Sequence, residues 1–217
     1  MKPSNAKKNI LAKIKQALQQ PVPVPFPQID AANSVYKTPT PDTDVTFAEH
    51  FTGLQGRFSY CGSPGELAGQ LQQLFTERKW ANIYCRENQL REFIAQAGLN
   101  LQYYETLATC DAAITGCEFL VGRTGSIVMS TAQQSGRTAS VYAPVHICIA
   151  YTSQLVTDIK HALGGILQQH NKIPSLITFA TGPSRTADIE KTLVVGVHGP
   201  KEVFCFLVEG EKQANRY

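Results

Sequence analysis

The fold this 217-residue sequence predicts is an α/β domain with a largely parallel sheet, preceded by a helical arm. Three observations carry the prediction. From Phe47 onward, segments with apolar residues at helical spacing alternate with short apolar, β-branched runs, the pattern of helices crossing between parallel strands. Hydrophobic residues make up 43% of the chain, enough for a globular core. The first 45 residues differ in kind, being lysine-rich and amphipathic and then proline-rich.

In "NILAKIKQAL", Ile10, Leu11, Ile14, Ala17 and Leu18 fall on one narrow helical stripe beside lysines. "PVPVPFPQ" (21–28) stops this helix, because alternating prolines favour extended polyproline geometry. Residues 1–20 therefore read as an arm and 21–45 as a stiff linker, so 1–45 form the appendage and 46–217 the domain. In the domain, "GELAGQLQQLFTERK" sets Leu67, Leu71, Leu74 and Phe75 on one helical face. "NIYC" (82–85) reads as a buried strand, and "NQLREFIAQAG" (88–98) as a helix closed by Gly98. Strand-like runs follow at 112–115, 126–130, 139–142 and 145–150. Residues 152–170 carry a stripe of Leu155, Ile159, Ala162, Leu163, Ile166 and Leu167, with a Gly164-Gly165 pair that weakens a helix unless another element packs closely there. Strands at 175–180, 193–199 and 202–208 complete the domain.

Charge and cysteine usage narrow the function classes. Net charge is +3, but Lys2, Lys7, Lys8, Lys13 and Lys15 all precede the first acid, Asp30, leaving 15 basic against 17 acidic residues beyond them. The main body thus lacks the basic face of a nucleic-acid binder, and the lysines read as a solvated helix face or a contact for an acidic partner. No apolar run approaches the ~20 residues of a membrane span. The N-terminus has neither the apolar core nor the cleavage site of a secretory signal, so a cytoplasmic location is expected. Cys61, Cys85, Cys110, Cys117, Cys148 and Cys205 are scattered without a C-x-x-C, so no iron–sulfur cluster or zinc site is expected in this chain. His146 and Cys148 share one strand face and read as core.

Dinucleotide, P-loop, nucleophile-elbow and zincin signatures are absent from the sequence. Two stretches hold the remaining chemistry. "ITGCEFLVGRTGSIVMS" (114–130) offers Gly116 and Gly125 for close backbone approach, and Arg123, Thr124 and Ser126 as donors to an oxyanion; the alternative is a β-turn with Gly at positive φ. "GPSRTADIEKTLVVGVHGP" (182–200) reads as a turn at Gly182-Pro183, a short helix-like segment and a strand. Ser184 or Thr186 could cap that segment and leave N–H groups for an anion. Arg185 could fork onto a carboxylate or phosphate, and Asp188 and His198 are candidate acids or bases. The capping-box positions hold Ala187 and Ile189 rather than Glu or Gln, and a pure cap explains neither Arg185 nor His198-Gly199-Pro200.

"TGPSRTADIEKTLVVGVHGPKEV", "ITGCEFLVGRTGSIV" with "PVHI", and the "ILAKIKQAL" arm together resemble the lactate-utilisation protein C family (LutC/YkgG, the LUD domain) over nearly the whole chain. The resemblance implies a three-layer domain of the NagB/RpiA/CoA-transferase type. In that superfamily the "TGCE" position resembles a Gly-Ala-Asp stretch lining a phosphosugar or CoA-ester site; Cys117 and Glu118 stand here for Ala and Asp. Arg123 stands where many relatives carry an acid, which alters the ligand charge accepted. The resemblance also implies L-lactate oxidation to pyruvate beside iron–sulfur partner subunits. On this reading the chain is an accessory subunit, alone or as a homo-oligomer, with no cofactor of its own. Its pocket would take a small carboxylate or phosphorylated anion. Arg123 and Arg185 would neutralise the ligand, with Gly116, Thr124, Gly125, Ser126, Gly182, Ser184, Thr186 and Gly199 lining the cradle. Asp188, His198 and Glu118 would orient the ligand or exchange a proton. Two alternatives stand beside it: a stand-alone NagB/RpiA-like enzyme for a sugar phosphate, acyl-CoA or folate-like substrate, and a non-catalytic adaptor.

Overall fold

The computed structural model describes residues 5–19, 42–170, 172–187, 193–196 and 198–211. The chain divides into two compact units, residues 1–38 and 39–217. In the first, α1 (Asn5–Leu18) is the expected amphipathic helix. Its Ile10, Leu11, Ile14 and Leu18 are all at least 50% exposed. The proline-rich run 21–28 lies outside the described residues.

The second unit runs α2 (Thr43–Gly53), β1 (Arg57–Cys61), α3 (Pro64–Arg78), β2 (Ile83–Cys85), α4 (Asn88–Gln96), β3 (Ala112–Thr115), β4 (Phe119–Val121) and β5 (Ser126–Ser130). It continues through α5 (Ala139–Tyr142), β6 (Val145–Tyr151), β7 (Leu155–Val156), α6 (Ile159–Gln169), β8 (Ile177–Ala180), β9 (Arg185–Ala187), β10 (Leu193–Val195) and β11 (Glu202–Val208). Five strands form a sheet in the order β1-β11-β6-β3-β2, and every pairing in it is parallel. This is the predicted α/β domain with a mostly parallel sheet. Its two longest strands, β6 and β11, are central and buried on both faces, which is why "VHICIAY" and "EVFCFLV" read as continuous apolar runs rather than alternating ones.

Each face of the sheet has its own core. On one side α3 and α4 set Leu67, Leu71, Phe75, Leu90 and Ile94 against Ile114, Ile147, Ile149 and Phe206. On the other, Phe47 and Phe51 of α2 join Leu120, Ile127 and Met129 against Cys148, Ala150, Cys205 and Leu207. Each such side chain contributes roughly 1.5–3 kcal/mol relative to exposure. A second sheet, ordered β7-β4-β5-β8, supplies that packing. Its outer face (Phe119, Val121, Val128) meets Ala162 and Ile166 of α6. There the glycine pair explains itself: a Cβ on Gly165 would stand 2.3 Å from the Phe119 ring, so that helix position must be bare.

Three expected elements take a different form. Residues 139–142 are one helical turn, not a strand, with the N–H groups of Val141 and Tyr142 donating to the Thr138 carbonyl. The helix expected over 152–170 begins only at Ile159, because the Asp158 side chain accepts from the Lys160 N–H and caps it, while Leu155 and Val156 pair with β4 instead. Residues 185–187, at the start of the segment read as helix-like, are a strand, and β9 and β10 form an antiparallel pair with Arg185 opposite Val195; residues 188–192 lie outside the described residues. Among the described residues, no helix is long and apolar enough to cross a membrane.

Candidate functional site

The two stretches singled out by sequence converge on the same helix, α2. A Cβ on Gly125, whose φ is +61°, would lie 2.5 Å from the Phe51 nitrogen, and one on Gly122 would lie 2.8 Å from Thr43. His50 Nδ1 bonds the Gly122 carbonyl at 2.9 Å. Gly182, at φ +132°, comes equally close to the carbonyl of Leu54, just past α2, with 2.6 Å left for a Cβ. Arg185 donates to that carbonyl at 2.9 Å. Gly122, Gly125 and Gly182 are thus sockets for α2 and its C-terminal turn.

Several other polar groups of these stretches also have protein partners. Arg123 forks onto Asp158, with Nε–Oδ2 at 2.7 Å and Nη2–Oδ1 at 3.3 Å, and this pairing holds the Asp158 carboxyl below its usual range. Thr124 Oγ1 and buried Ser126 Oγ lie 2.7 Å apart. Ser184 ties the last motif together: its N–H donates to the Pro200 carbonyl and its carbonyl accepts from Gly196. Thr186 pairs with Val194 across the β9–β10 ladder. Asp188 lies outside the described residues.

At the carboxyl ends of the parallel strands, the structure gathers a polar cluster around Glu118. This carboxylate is only 3% exposed. Ser130 Oγ donates to its Oε1 at 2.5 Å, and His170 Nε2 lies 3.1 Å from the same oxygen. Gln154 donates to the carbonyls of Cys117 and Glu118, fixing the turn after β3. Gly116 donates its N–H to Glu87 Oε1, and the Ser130 N–H donates to Gln133 Oε1. A crevice of about 60 Å³ opens between Glu87, Gly116, Cys117, Tyr151 and Gln154, about two waters' worth of liquid volume. Beside this crevice, Glu118 Oε1 lies 3.1 Å from His170 Nε2, a pairing in which a carboxyl group fixes the orientation of a histidine ring.

At the amino ends of the same strands lies a larger cleft of about 510 Å³. His198 and Gly199 line it with Lys201, facing the segment from Val141 to Pro144. His198 and Gly199 are both among the motif residues singled out by sequence. His146, near this end of β6, is fully buried, bonded to Thr115 Oγ1 at 2.8 Å, and pushed down to about pKa 4 by burial. It is a neutral core residue, as its strand-face position implied.

With this geometry in place, comparison with known proteins decides the family. The LUD domain family matches residues 76–208. The chain belongs to the LUD domain family. Relatives include an uncharacterized protein of Neisseria meningitidis, 33% identical over 48% of this chain and 45% of that one. The lactate utilization protein C of Geobacillus sp. is 37% identical over 50% of this chain and 45% of its own. That of Bacillus licheniformis is 34% identical over 64% of this chain and 57% of its own. The chain therefore spans about half the length of the curated relatives it matches. The crystal structure of a DUF162 family protein from Deinococcus radiodurans shares the fold, with TM-score 0.59 and 18% identity over 77% of this chain and 96% of that one.

The LUD match spans both ends of the sheet but not α2, the helix that fills the glycine sockets. Sequence reasoning missed Ser130, Gln154, His170 and Lys201. Ser130 closes a predicted strand and His170 a predicted helix, and 52 residues separate His170 from Glu118. No local pattern joins them; only the packing of α6 on the second sheet does.

Proposed function

We propose that this chain is an accessory subunit of an iron–sulfur-dependent system oxidising L-lactate to pyruvate, in which it handles a proton and binds an anion. The observation that carries the reading is buried Glu118, with Ser130 and His170 on one carboxylate oxygen just beyond the end of β3. Ligands of α/β sheets collect at such strand ends. Oxidising a 2-hydroxy acid to a keto acid releases two electrons and two protons. Both electrons would pass to clusters in the partner subunits, the hydroxyl proton to His170, held by Glu118, and the α-carbon proton to a base of the partner subunits. The names carried by the Geobacillus and Bacillus relatives support the pathway. The anion-binding part falls to His198 and Gly199, motif residues that line the amino-end cleft, rather than to the glycines that α2 occupies.

The test is lactate-dependent dye reduction by this chain reconstituted with its iron–sulfur partners. His170→Asn is expected to lower turnover about 100-fold, the scale of a lost general base, without changing the melting temperature. Full turnover by an assembled His170→Asn complex would remove the proton role. Full turnover without this chain would remove the lactate role.

A further inference from the structure

We propose that the amino-end cleft binds a phosphorylated organic ligand of nucleoside-monophosphate size, with a planar ring beside its phosphate. This rests on the anion-binding part of the proposed function and names the ligand class. Size is the first argument. At about 510 Å³ the cleft is in the range of sites for drug-sized ligands, about 300–1,000 Å³. It holds roughly seventeen waters' worth of volume, so a three-carbon hydroxy acid of six heavy atoms would leave most of it wet.

Charge is the second. Among the described residues, the cleft is lined by two basic side chains, His198 and Lys201, and by no carboxylate. Neither forms an ion pair among the described residues. A lysine ammonium beside an imidazole that can donate a hydrogen bond suits a phosphate, which carries about −1.5 to −2 at neutral pH and three acceptor oxygens, better than a single carboxylate. The opposite wall is apolar, formed by Val141, Ala143 and Pro144, and Cys110 adds a thiol that burial keeps protonated. Tyr142 lines the same cleft with 72% of its surface exposed, a bare aromatic face on which a ring can stack.

The third argument is preorganisation. The Lys201 N–H donates to the Pro144 carbonyl at 2.8 Å, joining the basic wall to the apolar one. Ser184 braces the basic turn from behind, bonded to Pro200 and Gly196. A Cβ on Gly199 would stand 2.7 Å from that of Ser184, and one on Gly196 would stand 2.3 Å from Lys201 Cγ. The cationic turn is therefore fixed before a ligand arrives, which lowers the ordering cost of binding. The Gly-Pro-Ser and His-Gly-Pro elements of the motif are the two halves of this brace.

Calorimetric titration of the full chain with AMP as probe, beside inorganic phosphate and L-lactate, tests the assignment. AMP is expected to bind at least tenfold more tightly than phosphate. Lys201→Gln, at an exposed position, should weaken AMP at least tenfold, and Tyr142→Ser should weaken AMP several-fold while leaving phosphate unchanged. L-lactate binding as tightly as AMP and lost in Lys201→Gln would overturn the ligand class but keep the anion site. AMP binding unaffected by both substitutions would overturn the location. No heat from any of the three would remove the anion-binding reading as well.

Discussion

The two ends of one parallel sheet have opposite characters. At the carboxyl end, Glu118, Ser130, Gln154 and Glu87 are bonded to one another's turns around a crevice of about 60 Å³. At the amino end, His198 and Lys201 stand over a cleft of about 510 Å³ with no acid among the described residues of its lining. The difference comes from what covers each end. Gln133 and Gln134, from the loop after β5, reach the Ser130 and Asn88 N–H groups and close down the first end. The second is bounded by one-turn α5 and the braced 196–201 turn, which stand apart. The carboxyl end is thus built for a fixed charge constellation, and the amino end for admitting something large.

If that contrast holds, the largest effect comes from the residue between the ends. His146 is held from its ordinary value of 6.5 down to about 4 by burial. Between those values the unfolded chain binds a proton that the folded one refuses, so stability falls as pH drops from 6.5 toward 4. That loss is of order 3 kcal/mol. Urea unfolding at pH 7 and 4.5 should show it in the wild type, and His146→Leu should lack this component. Next in size, Glu118→Ala leaves the Ser130 hydroxyl and the His170 ring without their acceptor. It should cost about 2 kcal/mol by the same measurement.

At the amino end, Gly199→Ala forces a methyl onto Ser184 and disturbs the brace. Overpacking there should cost about 1.5 kcal/mol and weaken anion binding together with stability. Lys201→Ala sharpens the contrast most by its smallness, with stability expected to change by less than about 0.5 kcal/mol while anion binding is lost. A large drop in melting temperature for Lys201→Ala, with none for Glu118→Ala, would reverse the description of the two ends.

Much of the fold was legible because its signals are local. Leu67, Leu71 and Phe75 repeat at helical spacing and all are buried on one face of α3. The apolar runs at 112–115, 126–130, 145–150 and 202–208 are strands, since β-branched runs of that length bury well between two layers. The misread segments are those where a short-range device competes with the pattern. Asp158 caps a helix in mid-stripe, and β9 finds a partner in β10. Of the candidate site residues, Gly116 was singled out from the end of a strand-like run, Glu118 from the family resemblance, and His198 and Gly199 from the Gly-Pro punctuation. The use of Gly122, Gly125 and Gly182 was not legible, because a glycine needed for a ligand and one needed for a helix have the same sequence signature. Only the position of α2 separates them.

The sequence by itself determined the α/β class, the amphipathic arm and the placing of polar motifs at turns, because periodicity, proline and glycine act within a few residues. The tertiary structure alone decided that Arg123 serves Asp158, that His170 meets Glu118, and that the conspicuous Gly-Pro-Ser motif braces a basic cleft at the amino ends of the strands. Those partners are 35, 52 and 12 or more residues apart, and sequence patterns carry no information about which distant surfaces the burial of apolar faces will bring together.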